Sequence, residues 1–118
     1  MSAQYHEPPE ELKGEDRDIV RALISLKEEI EAVDWYHQRL STTSDPELKK
    51  LLTHNRDEEV EHACMTIEWL RRVMPVWDEM LKEYLFIEGS IVDHEEGGDG
   101  ENGESDTPAG LGIGNLKS

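Results

Sequence analysis

Cysteine is nearly absent from this chain: Cys64 is the single one in 118 residues. That excludes a disulfide framework and a cysteine-rich zinc site, and it suits a reducing cytosol. Long apolar runs are missing too, and no stretch approaches the ~20 residues of a membrane span. Positive charge is scarce, with 12 Lys and Arg against 28 Asp and Glu and a formal net charge of -16. Nucleic acid and anionic membrane surfaces are therefore not expected as partners, whereas cations are. The opening stretch MSAQYHEPPEE has neither a basic region nor an apolar segment, so no signal peptide is expected. Glycine is almost lacking from the first three quarters of the chain, since all but Gly14 lie at or beyond Gly89.

What is present between residues 15 and 90 is helical patterning. Ile19, Ala22, Leu26, Glu29, Val33, Tyr36 and Leu40 recur at steps of three and four, one stripe of a helix from roughly 16 to 40. STTSDPEL interrupts the pattern, with Asp45 as N-cap and Pro46 in the first turn of the next helix, where its missing N–H costs nothing. A second stripe follows at Leu48, Leu52, Asn55, Glu59, His62, Thr66, Trp69 and Val73. Pro75 ends or kinks it, and Trp77, Met80, Leu81, Tyr84 and Leu85 predict a short third helix up to about Glu88. The fold class is thus all-α, an antiparallel two-helix hairpin plus a short C-terminal helix. Two helices cannot enclose a core, so the hairpin is expected to dimerise into a four-helix bundle. Residues 1–14 read as a lead-in and 91–110 as an acidic, Gly-rich disordered linker, which has too few apolar side chains to offset the entropy of ordering. Residues 111–118, LGIGNLKS, bring three aliphatics back after that linker and read as a short ligand for a groove on another protein.

Three polar residues stand on the apolar stripes. Glu29 interrupts the first, Glu59 and His62 the second, and an antiparallel hairpin places them at nearly the same level. A buried, unpaired carboxylate suffers a desolvation penalty of several kcal/mol, and neither stripe carries Lys or Arg. A bound cation resolves the conflict. Carboxylates combined with an imidazole suit iron, manganese or zinc better than calcium or magnesium. Helical di-iron and di-manganese bundles use one Glu from each of two helices and one Glu-x-x-His from each of the other two, and this chain supplies one of each. The bland alternative is a rotated stripe that puts Glu59 and His62 on a solvated face; against it, Asp57, Glu58 and Glu61 already serve as ordinary surface acids. Glu28 and Glu31 flank Glu29 either as a solvated face or as a cation-attracting mouth. Trp35 and Trp69 read as packing residues, His37 and His54 as surface, and Cys64 as a buried thiol. Tyr36 shares the Glu29 stripe two turns along, within reach of a ligand.

EEIEAVDWYHQRL, DPELKKLLTHNRDEEVEHACMTIEWLRR and YLFIEG, in this order and spacing, resemble the encapsulated ferritins, a branch of the ferritin-like superfamily, over roughly residues 6 to 90. The resemblance implies two-helix subunits that assemble into a ring-shaped decamer, with a ferroxidase centre formed between two subunits. It implies that Glu29, Glu59 and His62 bind a di-iron centre with Tyr36 close by. Glu28, Glu31 and Trp35 would line a secondary site where metal enters. LGIGNLKS looks like the peptide by which cargo attaches inside an encapsulin shell, with Leu111, Ile113 and Leu116 as apolar anchors; Gly112 stands where Thr is common, and Lys117 is the only base in an ending that is more basic elsewhere.

The function this implies is oxidation of Fe(II) to Fe(III) with oxygen as acceptor, delivering iron for storage inside a cytoplasmic encapsulin nanocompartment. Two alternatives stand beside it. One is a rubrerythrin-like di-iron peroxidase, against which the lack of a cysteine-rich electron-transfer module argues. The other is a non-catalytic acidic helical adaptor, in which Glu29, Glu59 and His62 have no metal to hold.

Overall fold

A computed structural model describes residues 4–97. After a short 3-10 turn at Pro9–Glu11 come four helices, α1 (Gly14–Thr42), α2 (Pro46–Val73), α3 (Pro75–Tyr84) and α4 (Ile91–Gly97). No strand occurs among the described residues, as the all-α reading requires. No helix among them is long and apolar enough to cross a membrane. The chain divides into two units, one up to Val73 and the other from Met74.

In the first unit α1 and α2 pack along each other as a hairpin. The turn between them is built as the sequence predicts. The Thr43 N–H donates to the Arg39 carbonyl at 3.1 Å and closes α1, and the Leu48 N–H donates to Asp45 Oδ2 at 2.7 Å. Asp45 thereby satisfies one of the N–H groups that a helix start leaves without a partner, and Pro46 fills the first helical position.

Every residue of the α1 stripe faces inward: Leu26 is buried, and Ile19, Ala22, Glu29, Val33, Tyr36 and Leu40 are half-buried. The α2 stripe needs a correction. Its inward face runs through Leu52, Arg56, Glu59, Ala63, Thr66 and Leu70, whereas Leu48, His62, Trp69 and Val73 are exposed. Leu70, at 0% exposure, rather than Trp69, at 39%, is the packed residue at that level. The two spacings differ by about one position, and the displaced residues border a side of the hairpin that a single chain leaves open. Cys64 is likewise exposed, not a buried thiol.

In the second unit Met74 precedes α3 and Pro75 stands in its first turn. The third helix stops at Tyr84, earlier than the pattern suggests: Leu85 is already extended and Phe86 follows at φ 61°. Left-handed backbone of this kind ends a helix, and at a bulky residue it is strained. Residues 91–97, expected as the opening of the linker, form α4 instead. Ser90 accepts the Asp93 N–H at 3.2 Å, and the His94 ring meets the edge of Tyr84 at 5.3 Å between centroids while His94 Nε2 lies 2.7 Å from Glu83 Oε2. A cap and these side-chain contacts order a segment whose composition alone argues against order. The rest of the expected linker and the 111–118 segment, with Leu111, Ile113 and Leu116, lie outside the described residues.

Candidate metal centre

Glu29 reaches the α1–α2 seam from one side, and Glu59 and His62 reach it from the other. The two α2 residues are three apart, so a single turn of the helix presents both toward Glu29. One ligand atom from each of the three residues lies within 4.8 Å of the others. His62 Nδ1 stands 3.6 Å from Glu29 Oε1 and 3.6 Å from Glu59 Oε1. These gaps are too long for hydrogen bonds. Donors held about 2.0–2.2 Å from a transition metal stand roughly 3 to 3.5 Å from one another, close to this spacing. The donor set therefore fits an ion of that class, two hard carboxylates with one imidazole.

The cluster is only partly covered. The carboxylates of Glu29 and Glu59 are 24% and 25% exposed and the His62 ring 45%, so the imidazole marks its open edge. Glu29 is held above the ordinary carboxylate range, first by its hydrogen bond with Glu59, then by desolvation and by the like charge of Glu59; His62 pulls the other way. Two carboxyls so placed favour a shared proton or a shared cation between them.

The other residues singled out in the sequence fall outside this cluster. Tyr36 is half-buried on the same side of α1, with the Arg39 guanidinium 5.4 Å from its ring centroid. Glu28, Glu31 and Trp35 are exposed on α1. Glu31 borders an open groove of about 530 Å³ whose floor is the apolar run Leu23, Leu26 and Ile30. His37 and His54 are at the surface as expected, yet each has a partner. Arg56 Nη1 donates to His37 Nδ1 at 3.1 Å, tying α2 to α1, and His54 Nε2 lies 3.8 Å from Glu58 Oε2. Glu58, read as an ordinary surface acid, also faces His62, with Oε1 3.9 Å from Nε2. The spacing His54, Glu58, His62 at four-residue steps is the signal that marks it in the sequence.

The EncFtn-like family matches residues 4–88, from the lead-in through α3. This chain belongs to the EncFtn-like family. The matched span holds Glu29, Glu59 and His62 and ends before α4, close to the 6 to 90 over which the resemblance was read. Among relatives of the EncFtn-like chain, the ferritin-like protein of Thermotoga maritima is 60% identical over 116 residues, spanning 98% of this chain and 100% of the relative. The encapsulated ferritin-like protein of Rhodospirillum rubrum is 51% identical over 125 residues, 98% of this chain and 89% of the relative. A crystal structure of a Nitrosomonas europaea protein superimposes with a TM-score of 0.72 at 56% identity, covering 74% of this chain and 96% of that one.

Proposed function

We propose that this EncFtn-like chain is a ferroxidase whose di-iron centre is completed by two subunits. Ferrous iron is the substrate; each ion gives up one electron, and dioxygen is the acceptor. The observation that carries this reading is the Glu29–Glu59–His62 cluster on a two-helix hairpin. Helical di-metal proteins use twice this donor set on four helices, so a second copy related by a two-fold axis supplies what one chain lacks. Manganese or zinc suits the same donors.

Glu29 and Glu59 draw ferrous ions from water and stabilise the ferric charge that develops, and His62 contributes a neutral imidazole. Tyr36 serves beside the centre, and Glu28, Glu31 and Trp35 line a secondary site through which metal approaches. The open apolar residues support association: Trp35, Met65 and Trp69 are 51%, 63% and 39% exposed on a single chain, whereas Leu26 and Leu70 are the buried hydrophobics among the described residues. The dimers assemble into a ring-shaped decamer. The Rhodospirillum relative is named as encapsulated; we extend this to the present chain. On this reading residues 1–14 are a lead-in, 15–90 the ferritin-like domain and 91–110 a linker that opens with α4. Residues 111–118 bind an encapsulin shell protein through Leu111, Ile113 and Leu116, within a nanocompartment in the cytoplasm.

The test is aerobic Fe(II) oxidation followed by absorbance on protein separated by size, with Glu59→Ala and His62→Ala alongside. Activity is expected only in assembled fractions and lost in both variants. Background rates in every fraction, with no iron retained, would leave the acidic adaptor as the better account. Iron retained without oxidation, together with peroxide consumption, would favour the peroxidase.

A further inference from the structure

We propose that Glu58 is the positioning residue of His62: its carboxylate accepts the Nε2–H of the ring and leaves the Nδ1 lone pair aimed between Glu29 and Glu59. The inference rests on the metal-centre reading above and assigns a role to a side chain that reading does not use.

The two edges of the His62 ring face different groups. Nδ1 lies 3.6 Å from both Glu29 Oε1 and Glu59 Oε1, while Nε2 lies 3.9 Å from Glu58 Oε1. A neutral imidazole has one N–H and one bare nitrogen, and a metal takes only the bare one. Left to Glu29 and Glu59 alone, two carboxylates on the Nδ1 side attract the N–H to that nitrogen. The ring then turns a proton toward the cation. A carboxylate on the opposite edge competes for that proton, and Glu58 is the one that stands there.

Glu58 is itself held from the other side. Its second oxygen, Oε2, faces His54 Nε2 at 3.8 Å, so one carboxylate is divided between rings four residues before and four residues after it on α2. A small side-chain rotation closes the 3.9 Å gap to a hydrogen bond. Glu58 is not among the three residues whose ligand atoms converge, and it faces the ring edge that points away from them. It therefore acts through His62 and not as a ligand. Partners of this kind beyond the ligands typically change metal affinity about 10- to 100-fold.

Two measurements test this on the full chain in its assembled state. The first uses metal-free protein labelled with 15N-histidine, read by long-range 1H–15N spectra at a pH where the ring is neutral, with His62→Ala assigning the signal. Wild type is expected to show His62 protonated at Nε2, and Glu58→Ala to move the population toward Nδ1–H. A wild-type ring protonated at Nδ1, or a population that Glu58→Ala leaves in place, overturns the proposal whatever the protein does with iron. The second follows Co(II) binding by its visible absorption. Glu58→Ala is expected to weaken binding at least about 10-fold, Glu58→Gln, which keeps an acceptor oxygen, to restore most of it, and Glu58→Ala to add nothing in a His62→Ala background. An equal loss in both backgrounds makes Glu58 a ligand or a bulk charge and overturns the proposal while the metal centre stands. Absence of Co(II) binding by wild type sinks both.

Discussion

In the metal-free subunit Glu29 and Glu59 repel each other once both ionise. Because Glu29 is held above its ordinary 4.5 in the folded chain, its contribution to stability is complete below that value and is lost as pH rises through the raised one. Glu29→Gln is therefore expected to raise the thermal midpoint of chelator-treated protein near neutral pH and to leave it unchanged in acid. Added divalent metal reverses the order, since binding stabilises wild type and not the variant. An equal shift at both pH values would refute the repulsion. Glu68 behaves oppositely. Hydrogen bonds from Arg71 and then Arg72 lower its carboxyl to about 2, so its contribution is present above the ordinary glutamate value and fades only as pH falls toward 2. Carboxyl-carbon NMR on Arg71→Ala and on Arg72→Ala should return Glu68 toward 4.5. Glu29 and Glu59 are legible in the sequence because each breaks an apolar stripe at a cost that needs a reason, and His62 because it follows Glu59 by three residues, even though its ring stands at the open edge. The four-residue steps His54, Glu58, His62 mark Glu58 as their neighbour, but its role depends on which edge of His62 faces it, and residue spacing carries no information about ring orientation.

At the level of elements, Asp45 and Pro46 were readable because a cap is a local event, settled by the side chain and the N–H it meets. Asp45→Ala is expected to cost about 1 kcal/mol in denaturant unfolding, with Asp45→Ser recovering most of it. Leu70, fully enclosed, should cost about 2–5 kcal/mol on truncation to Ala; a loss no larger than that of Trp69→Ala would contradict its place in the core. The slip between Trp69 and Leu70 has a physical source. Periodicity reports that a helix has an apolar side but not which neighbour covers it: the face that α2 turns to α1 runs through Leu70, while Trp69 borders a side that the single chain leaves open. The fourth helix escaped for a related reason. Ile91–Gly97 is ordered by the Ser90 cap and by His94 lying against Tyr84 and Glu83, contacts that composition does not reveal.

For the whole molecule, the shortage of enclosed apolar residues is the dominant fact. Leu26 and Leu70 are the buried hydrophobics among the described residues, while Met65, one turn past His62, is 63% exposed. Covering a methionine contributes about 1.5–3 kcal/mol, so Met65→Asp is expected to weaken subunit association about tenfold or more in analytical ultracentrifugation, and to reduce iron oxidation only in proportion to the assembly lost. Activity that disappears while assembly persists would instead tie Met65 to the chemistry. The turn at residues 43–45 has a consequence in time as well. A closure this short takes no longer than the roughly 10–100 ns of a ten-residue loop, and the helices themselves form within about a microsecond. Encounter between two subunits at micromolar concentration, at association rates of about 10⁵–10⁷ M⁻¹s⁻¹, takes on the order of 0.1 to 10 s. On the two-subunit reading proposed above, the three donors are thus gathered on each chain long before a second chain arrives, and after dilution the lag before a complete centre appears should shorten in inverse proportion to subunit concentration.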